Sequence, residues 1–264
     1  MLARRALSWH CAPMGALHMI RSGEGDIPVV LLHGFGGSHH AWDDIVPVLQ
    51  SQRKVIAFDL PGHAGSLDFP KTGNAAVAAK AVLADLADAG VGRAHLVGHS
   101  MGGAAAALCG LMAPERAASL TLLSPGGFGW EVNHRLLRRY ARAAGEAEIA
   151  LLLEQFFGWQ NPLPVGLAAG LAAQRSVKGA IQALETIVET LFENASQKRL
   201  PVADIAALPI PVKVIWGTQD RVLPTRQAHK LPGRIAVHIF EEVGHMLPHE
   251  IADDVAHLIL ENTR

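Results

Sequence analysis

Short segments that are apolar at nearly every position recur along the chain, at residues 28–32, 54–58, 94–97, 119–124, 211–217 and 237–240. Continuous rather than alternating hydrophobicity suits strands buried on both faces, as in a parallel sheet covered by helices. Residues 7–22 read as two further strands around a turn at Pro13-Met14-Gly15, followed by a polar turn at residues 21–26. Helical periodicity fills the gaps. Residues 41–49 place Trp42, Ile45, Val46 and Leu49 on one face, with Pro47 predicting a break or kink. A helix over 75–89 stops at Gly90, a helix after Gly102 ends near Pro114, and a last helix covers 250–260. Between Gly129 and Asp204 the alternation lapses. Only helical patterns remain there, at 135–144, 146–157, 165–173 and 177–192, broken by Asn161-Pro162-Leu163-Pro164. About 75 residues between two sheet strands far exceeds an ordinary connection. The expectation is an α/β fold with a mostly parallel central sheet flanked by helices. Residues 1–127 and 205–264 form its core, and a helical cap, 128–204, is inserted between sheet strands.

Composition narrows the classes of function. At 264 residues, 50% hydrophobic and 18% charged, the chain can bury a full globular core. A net charge of −1 without a long basic run argues against nucleic acid as a partner. No apolar run reaches the roughly 18 residues that span a bilayer. Arg4 and Arg5 are not followed by the apolar core of a secretory signal, so a cytoplasmic protein without a membrane partner is expected. Cys11 and Cys109 lie in apolar or small-residue contexts and are expected to be buried free thiols. Gly34-x-Gly36 lacks the later glycine and the ribose-binding acid of a dinucleotide site.

Chemistry concentrates just past strand ends. The strand at 94–97 runs into Gly98-His99-Ser100-Met101-Gly102-Gly103 and then an alanine-rich helix, a sharp strand-to-helix corner that lifts the serine clear of the sheet. Gly98 and Gly102 are a steric need of that corner. Asp220 follows the strand at 211–217, and His245 follows the one at 237–240. All carboxyl ends of a parallel sheet lie along one edge, where such residues converge. Ser100 as nucleophile, His245 as base and Asp220 as the partner that orients it match three required roles, in the order Ser…Asp…His. The Phe35 and Met101 N–H groups are candidate donors to an oxyanion. Other residues take blander readings. Asp59 is expected to accept hydrogen bonds from loop amides. His39 and His40, adjacent and without a carboxylate neighbour, read as a solvated helix entry rather than metal ligands. His99 reads as structural and His249 as the start of a helix, because Gly244 and Pro248 spoil a helical pairing of His245 with His249.

On these residues the chain resembles the α/β-hydrolase superfamily over essentially its whole length. The motifs that carry the resemblance are His33-Gly34-Phe35-Gly36-Gly37, Asp59-Leu60-Pro61-Gly62-His63, Gly98-His99-Ser100-Met101-Gly102-Gly103, Gly217-Thr218-Gln219-Asp220 and Gly244-His245. It implies the α/β-hydrolase fold with a helical cap and a Ser100–His245–Asp220 triad. Ala64 departs from the pattern, which usually has glycine there. Within the superfamily the chain is most similar to the hydrolase-like domain of the acyltransferase component of acetoin dehydrogenase complexes, through residues 94–103, 120–125 and Gly244-His245-Met246. That component also bears a lipoyl domain, for which the stretch before Val29 is too short. Meta-cleavage-product hydrolases are a second relative, although Gly36-Gly37-Ser38 and Met246 depart from their pattern. Serine at position 100 departs from the aspartate of haloalkane dehalogenases and epoxide hydrolases.

The function expected from residues and resemblance together is a serine hydrolase that cleaves a small carboxylic ester or thioester through an acyl-Ser100 intermediate, without cofactor or metal. The alternatives are hydrolysis of a carbon–carbon bond in a dienone acid, acyl transfer to a thiol or alcohol, and a non-enzymatic receptor that keeps the fold. The expected partner is a small-molecule substrate, and the oligomeric state is open. Trp130, Phe156, Phe157 and Trp159 either line an apolar pocket or pack the cap helices together, with Val222 and Met246 as further candidates for the wall.

Overall fold

The computed structural model describes residues 15–264. Cys11, the strand expected from residue 7 and most of the turn at Pro13-Met14-Gly15 lie outside the described residues. In chain order the strands are β1 (Met19–Ser22), β2 (Val29–Leu32), β3 (Val55–Phe58), β4 (Ala94–His99), β5 (Ala117–Leu123), β6 (Phe192–Glu193), β7 (Ser196–Gln197), β8 (Val212–Gly217) and β9 (Ile235–Phe240). The helices are α1 (Val46–Gln50), α2 (Ala75–Asp88), α3 (Met101–Met112), α4 (His134–Arg142), α5 (Glu146–Leu153), α6 (Leu167–Arg175), α7 (Ala180–Leu191), α8 (Val202–Ala207), α9 (Leu247–Glu250) and α10 (Ala252–Asn262).

Seven strands form one sheet in the order β1-β3-β2-β4-β5-β8-β9. Only β1 is antiparallel to its neighbour, and every other pairing is parallel. The continuous apolar runs have the reason expected of them. Val30, Leu32, Ile56, Phe58, Leu96, Leu120, Leu122 and Val214 point to the face covered by α2, α3 and the inserted helices. Val29, Leu31, Val55, Ala57, Val97, Leu123 and Ile215 point to the opposite face, with α1 and α10. A strand with helices on both sides has no solvated face, so alternation disappears. The chain leaves the sheet after β5 and returns at β8. Helices α4, α5 and α6 supply Leu137, Tyr140, Leu153 and Leu171, and the turn after α5 supplies Phe156, to the walls above the carboxyl edge of the sheet.

Local differences from the sequence reading have simple causes. Residues 41–49 are not one helix. A 3-10 turn over His39–Trp42 precedes α1, and Pro47 sits in the first turn of α1, where its missing N–H costs nothing. Pro248 likewise opens the short α9, and the chain breaks at Ile251 before α10, so the last helix is two pieces. The span after Gly129 is not wholly helical: β6 and β7 form a small antiparallel hairpin, and α8 follows it. Four residues of hairpin carry too little periodicity to register in a window of sequence. Gly90 terminates α2 in the left-handed region, φ 70°. Cys109 is buried and has no disulfide partner among the described residues, and burial raises its thiol pKa to about 12.

Candidate active site

Ser100 stands between β4 and α3 with φ 55° and ψ −114°, a conformation that a side-chain-bearing residue adopts only when its surroundings impose it. Three backbone bonds do so: Ser100 N–H donates to Leu123 O at 2.9 Å, and Ser100 O accepts from Gly126 N at 2.9 Å and Ala104 N at 3.1 Å. The flanking glycines are required sterically. A Cβ on Gly98 would lie 2.1 Å from Gly102 O, and one on Gly102 would lie 2.2 Å from Leu32 O. β4 therefore turns into α3 with no side chain inside the corner, and the hydroxyl faces outward.

The acid–base pair comes from the two loops after β8 and β9. His245 Nδ1–H donates to Asp220 Oδ2 at 2.8 Å, with both side chains buried. Asp220 Oδ2 also accepts from Trp216 Nε1 at 3.1 Å, and its Oδ1 accepts the amides of Val222 and Leu223 at 2.9 and 2.8 Å. A carboxylate with every acceptor site filled holds one orientation. The His245 backbone is pinned in turn: its N–H donates to Phe156 O at 2.6 Å, and its carbonyl accepts from His99 Nε2 at 2.8 Å. The role for His99 is thus structural, as expected, and burial followed by the nearness of His245 lowers its pKa well below 6.5. Glu250, which the sequence reading did not single out, accepts from Gly244 N (2.9 Å), Met246 N (2.9 Å), Gly158 N (2.7 Å) and Asn161 Nδ2 (2.6 Å). It clasps both neighbours of His245 and ties them to the helical insertion.

The two candidate oxyanion donors flank the serine. Met101 opens α3, so its N–H has no carbonyl within the helix to receive it. Gly34, next to Phe35, approaches so closely that a Cβ there would lie 3.3 Å from Ser100 Cβ. Two buried imidazoles shape this turn. His33 gives Nδ1–H to Gly34 O at 2.7 Å and accepts Leu60 N–H at Nε2 at 2.9 Å. His63 gives Nδ1–H to Pro61 O at 3.1 Å and accepts Gly36 N–H at Nε2 at 3.0 Å. Each ring must be neutral to donate on one side and accept on the other. Burial lowers the His33 pKa to about 4 and that of His63 to about 3, with the neighbouring His33 adding to the latter shift.

Two cavities meet at Ser100. The larger, about 370 Å³, is bounded by Phe35, Tyr140, Phe156, His245 and Met246, and opens toward Asp43, Asp44 and His249. The smaller, about 260 Å³, is bounded by Phe35, Met101, Leu108, Val132, Leu200 and Val222. Phe156, Val222 and Met246 thus line cavity walls. The aromatic wall expected from the insertion is corrected at the other three positions. Phe157 is buried against the His249 ring, Trp130 is 60% exposed beneath Arg199, and Trp159 is 74% exposed. Helix α5 ends at Leu153, so residues 156–159 lie in an irregular turn whose side chains diverge. His249 also lines the larger cavity rather than only opening a helix. Among the described residues no hydrogen bond joins the Ser100 hydroxyl to His245, although both side chains face the larger cavity. Such bonds are often long in ligand-free enzymes.

Two buried charges complete the surroundings. Arg175 donates Nη1–H to Tyr140 O (2.7 Å) and Ala143 O (2.8 Å) and lies 4.1 Å from the Tyr140 ring. Its Nε and Nη2 have no protein partner among the described residues. Asp59, fully buried, accepts the amides of His39 and Gly65 at 2.7 and 3.0 Å, as expected. It also accepts the rings of His18 (2.8 Å) and His39 (2.9 Å). His39 therefore does have a carboxylate partner, and the reading of it as merely solvated is corrected. The partner arrives from β3 and could not be seen in the adjacent sequence. Burial opposes ionisation of Asp59, but the His39 amide and ring hold its pKa below the usual range.

Residues 29–258 match the alpha/beta hydrolase family, and the chain belongs to it. It is 32% identical over 235 residues to the dihydrolipoyllysine-residue acetyltransferase component of the acetoin cleaving system of Pseudomonas putida, covering 88% of this chain and 62% of that protein's length. It is 28% identical over 268 residues to the 2-hydroxy-6-oxo-6-phenylhexa-2,4-dienoate hydrolase of Comamonas testosteroni, covering 94% of this chain and 91% of the other. The solved structure of the dienoate hydrolase of the same name from a Rhodococcus species superimposes with a TM-score of 0.82 at 23% identity, covering 93% and 94% of the two chains.

Proposed function

We propose that the protein is a serine hydrolase that cleaves a small carboxylic ester or thioester through an acyl-Ser100 intermediate, with residues 128–204 as a cap over the site. The observation that carries this reading is the strained Ser100 placed between two cavities, beside the His245–Asp220 pair at 2.8 Å. In the proposed reaction His245 Nε2 takes the Ser100 proton as the oxygen attacks the carbonyl. Asp220 keeps the Nδ1–H tautomer and stabilises the imidazolium that forms. The Phe35 and Met101 amides receive the oxyanion, and loss of one such donor costs on the order of a hundredfold in rate. His245 returns the proton to the leaving alcohol or thiol, and water then repeats the sequence on the acyl-enzyme. The two cavities suit an acyl group on one side of Ser100 and a leaving group on the other, each of modest size.

A fluorophosphonate probe tests the nucleophile. Labelling of the wild type that vanishes in Ser100→Ala supports the reading, and identical behaviour of the two overturns it. A panel of short-chain nitrophenyl esters and thioesters against a ring-cleavage dienone then tests the bond broken. Turnover of the dienone alone replaces the ester reading with carbon–carbon hydrolysis.

One observation favours that second reading. Arg175 is a buried cation with two unpartnered nitrogens behind Tyr140, which lines the larger cavity. The guanidinium itself borders neither cavity, so a substrate carboxylate, as in a dienone acid, reaches it only where the Tyr140 ring gives way. Arg175→Gln is then expected to raise KM for the dienone acid by roughly tenfold or more while leaving KM for a neutral ester nearly unchanged.

A further inference from the structure

We propose that His18, His39 and Asp59 form a binding site for a divalent transition-metal ion of the zinc class, separate from the hydrolytic centre. The three ligands come from distant parts of the chain. His18 lies just before β1, His39 opens the 3-10 turn after the Phe35 loop, and Asp59 follows β3. Their donor atoms, His18 Nδ1, His39 Nδ1 and an Asp59 carboxylate oxygen, all lie within 4.8 Å of one another. Around a tetrahedral ion, bonds of about 2.0–2.2 Å to imidazole nitrogen and carboxylate oxygen put neighbouring donors roughly 3.3–3.6 Å apart. The contacts of His18 and His39 Nδ1 with Asp59, at 2.8 and 2.9 Å, therefore open by about half an ångström, and a donor pair near the 4.8 Å limit closes by roughly 1.2–1.5 Å, a movement that the 44% exposed His18 side chain can supply.

The donor chemistry fits. Two imidazoles and one carboxylate are the set that borderline divalent ions take, with the remaining positions left to water. The Asp59 carboxylate is fully buried while the His18 side chain is 44% exposed, so the acidic ligand lies inside and the entry path is open. Both rings now direct Nδ1–H at the carboxylate. Binding moves each Nδ1 proton to Nε2 and frees Nδ1 as a ligand.

The arrangement around the trio is built rather than incidental. The His18 ring rests directly on Gly65, where a Cβ would lie 2.5 Å from His18 Cγ, so this loop position admits the ring only because it lacks a side chain. His18 N–H is held by Ser66 Oγ at 2.8 Å, and His39 N–H is held by Asp59 itself at 2.7 Å. These bonds fix two of the ligand backbones before any ion arrives. An ion here would fasten the antiparallel edge of the sheet to the turn that follows the Phe35 loop. The proposal does not depend on the hydrolytic reading.

The test uses the full chain freed of metal with a chelator and titrated with Co²⁺ alone, then with Zn²⁺ in competition. One Co²⁺ per chain, with visible d–d absorption that Zn²⁺ abolishes, is the expected result. His18→Ala and His39→Ala are each expected to weaken binding by at least about tenfold, and Zn²⁺ is expected to raise the thermal midpoint of the wild type but not of either variant. Replacing the exposed His257 by alanine serves as a control and should leave both readouts unchanged. Asp59→Ala strips the His39 and Gly65 amides of their acceptor and tests folding as much as binding, so the histidine variants decide the matter. Absence of Co²⁺ binding to the wild type, or binding unaltered in both histidine variants, overturns the proposal and leaves a hydrogen-bonded trio.

Discussion

Ser100 is kept at a positive φ by three backbone hydrogen bonds, in a corner where a Cβ on Gly98 or Gly102 would lie 2.1 or 2.2 Å from a neighbouring carbonyl oxygen. The strain is local and the restraint is not: Leu123 and Gly126 belong to the next strand and its loop. Gly98→Ala is expected to cost more than about 4 kcal/mol, since the neighbouring atoms are backbone and cannot step aside. Urea unfolding measures the loss, and a variant within about 1 kcal/mol of the wild type would show the corner to be more pliable than the geometry allows. Glu250 tests another kind of restraint. Each hydrogen bond to its charged carboxylate contributes on the order of 1.5–3 kcal/mol, and two of them orient the amides on either side of His245. Glu250→Gln is expected to lower kcat by at least about tenfold, because it loosens both neighbours of the proposed base His245, with a smaller rise in KM through Met246 in the cavity wall. An equal effect on both parameters would argue for general loosening instead.

The turn between β2 and the 3-10 helix shows how an element can depend on protonation. His33 and His63 each bridge two segments as neutral rings, and both have folded pKa values below 6.5, at about 4 and about 3. Such a ring binds fewer protons folded than unfolded, so its contribution to stability is complete above pH 6.5 and is lost as pH falls toward 4. Unfolding free energy is therefore expected to decline between pH 6.5 and 4, by up to about 1.4 kcal/mol per unit for each ring. His63→Gln keeps an acceptor for Gly36 N–H without the titration, and its profile should be shallower over the same window. Parallel profiles would remove His63 from the account. The loop after β3, which supplies His63 to this turn, carries Ala64 at φ 41°, in the place where the family pattern usually has glycine. The left-handed conformation remains although the residue that favours it has gone, because Gly62 and Gly65 on either side still admit close packing against Thr72 and His18.

At the largest scale the inserted helices and the sheet are joined by a few long-range ties. Arg221 Nη2 donates to Glu154 O and to Phe157 O, holding the end of α5 against the Asp220 loop. Glu250 holds Gly158 in the same region. Arg221→Ala is expected to speed limited proteolysis in residues 154–163 several-fold while the central sheet keeps its protection, the pattern of a locally destabilised unit. Cleavage at the wild-type rate would place the tie elsewhere. Among the described residues no helix is long and apolar enough to cross a membrane.

Much of this was legible along the chain. Buried parallel strands announce themselves as continuous apolar runs, and residues just past their carboxyl ends share one edge whatever their separation in sequence. That rule alone brought Ser100, Asp220, His245 and the Phe35 turn into one neighbourhood. Pro47 and Pro248 each fall in the first turn of a short helix, because proline marks a first turn as readily as a break. What a linear pattern could not reveal were side chains whose meaning lies in a partner from another element. Glu250 reads as an ordinary helix residue until it meets Gly158, Arg175 until it lies under Tyr140, and His39 until Asp59 and His18 close around it. Hydrophobic period and backbone sterics act between near neighbours and are written into the sequence. Hydrogen bonds and charges spanning tens of residues exist only once the sheet has set their distances, and those decided how the site is held.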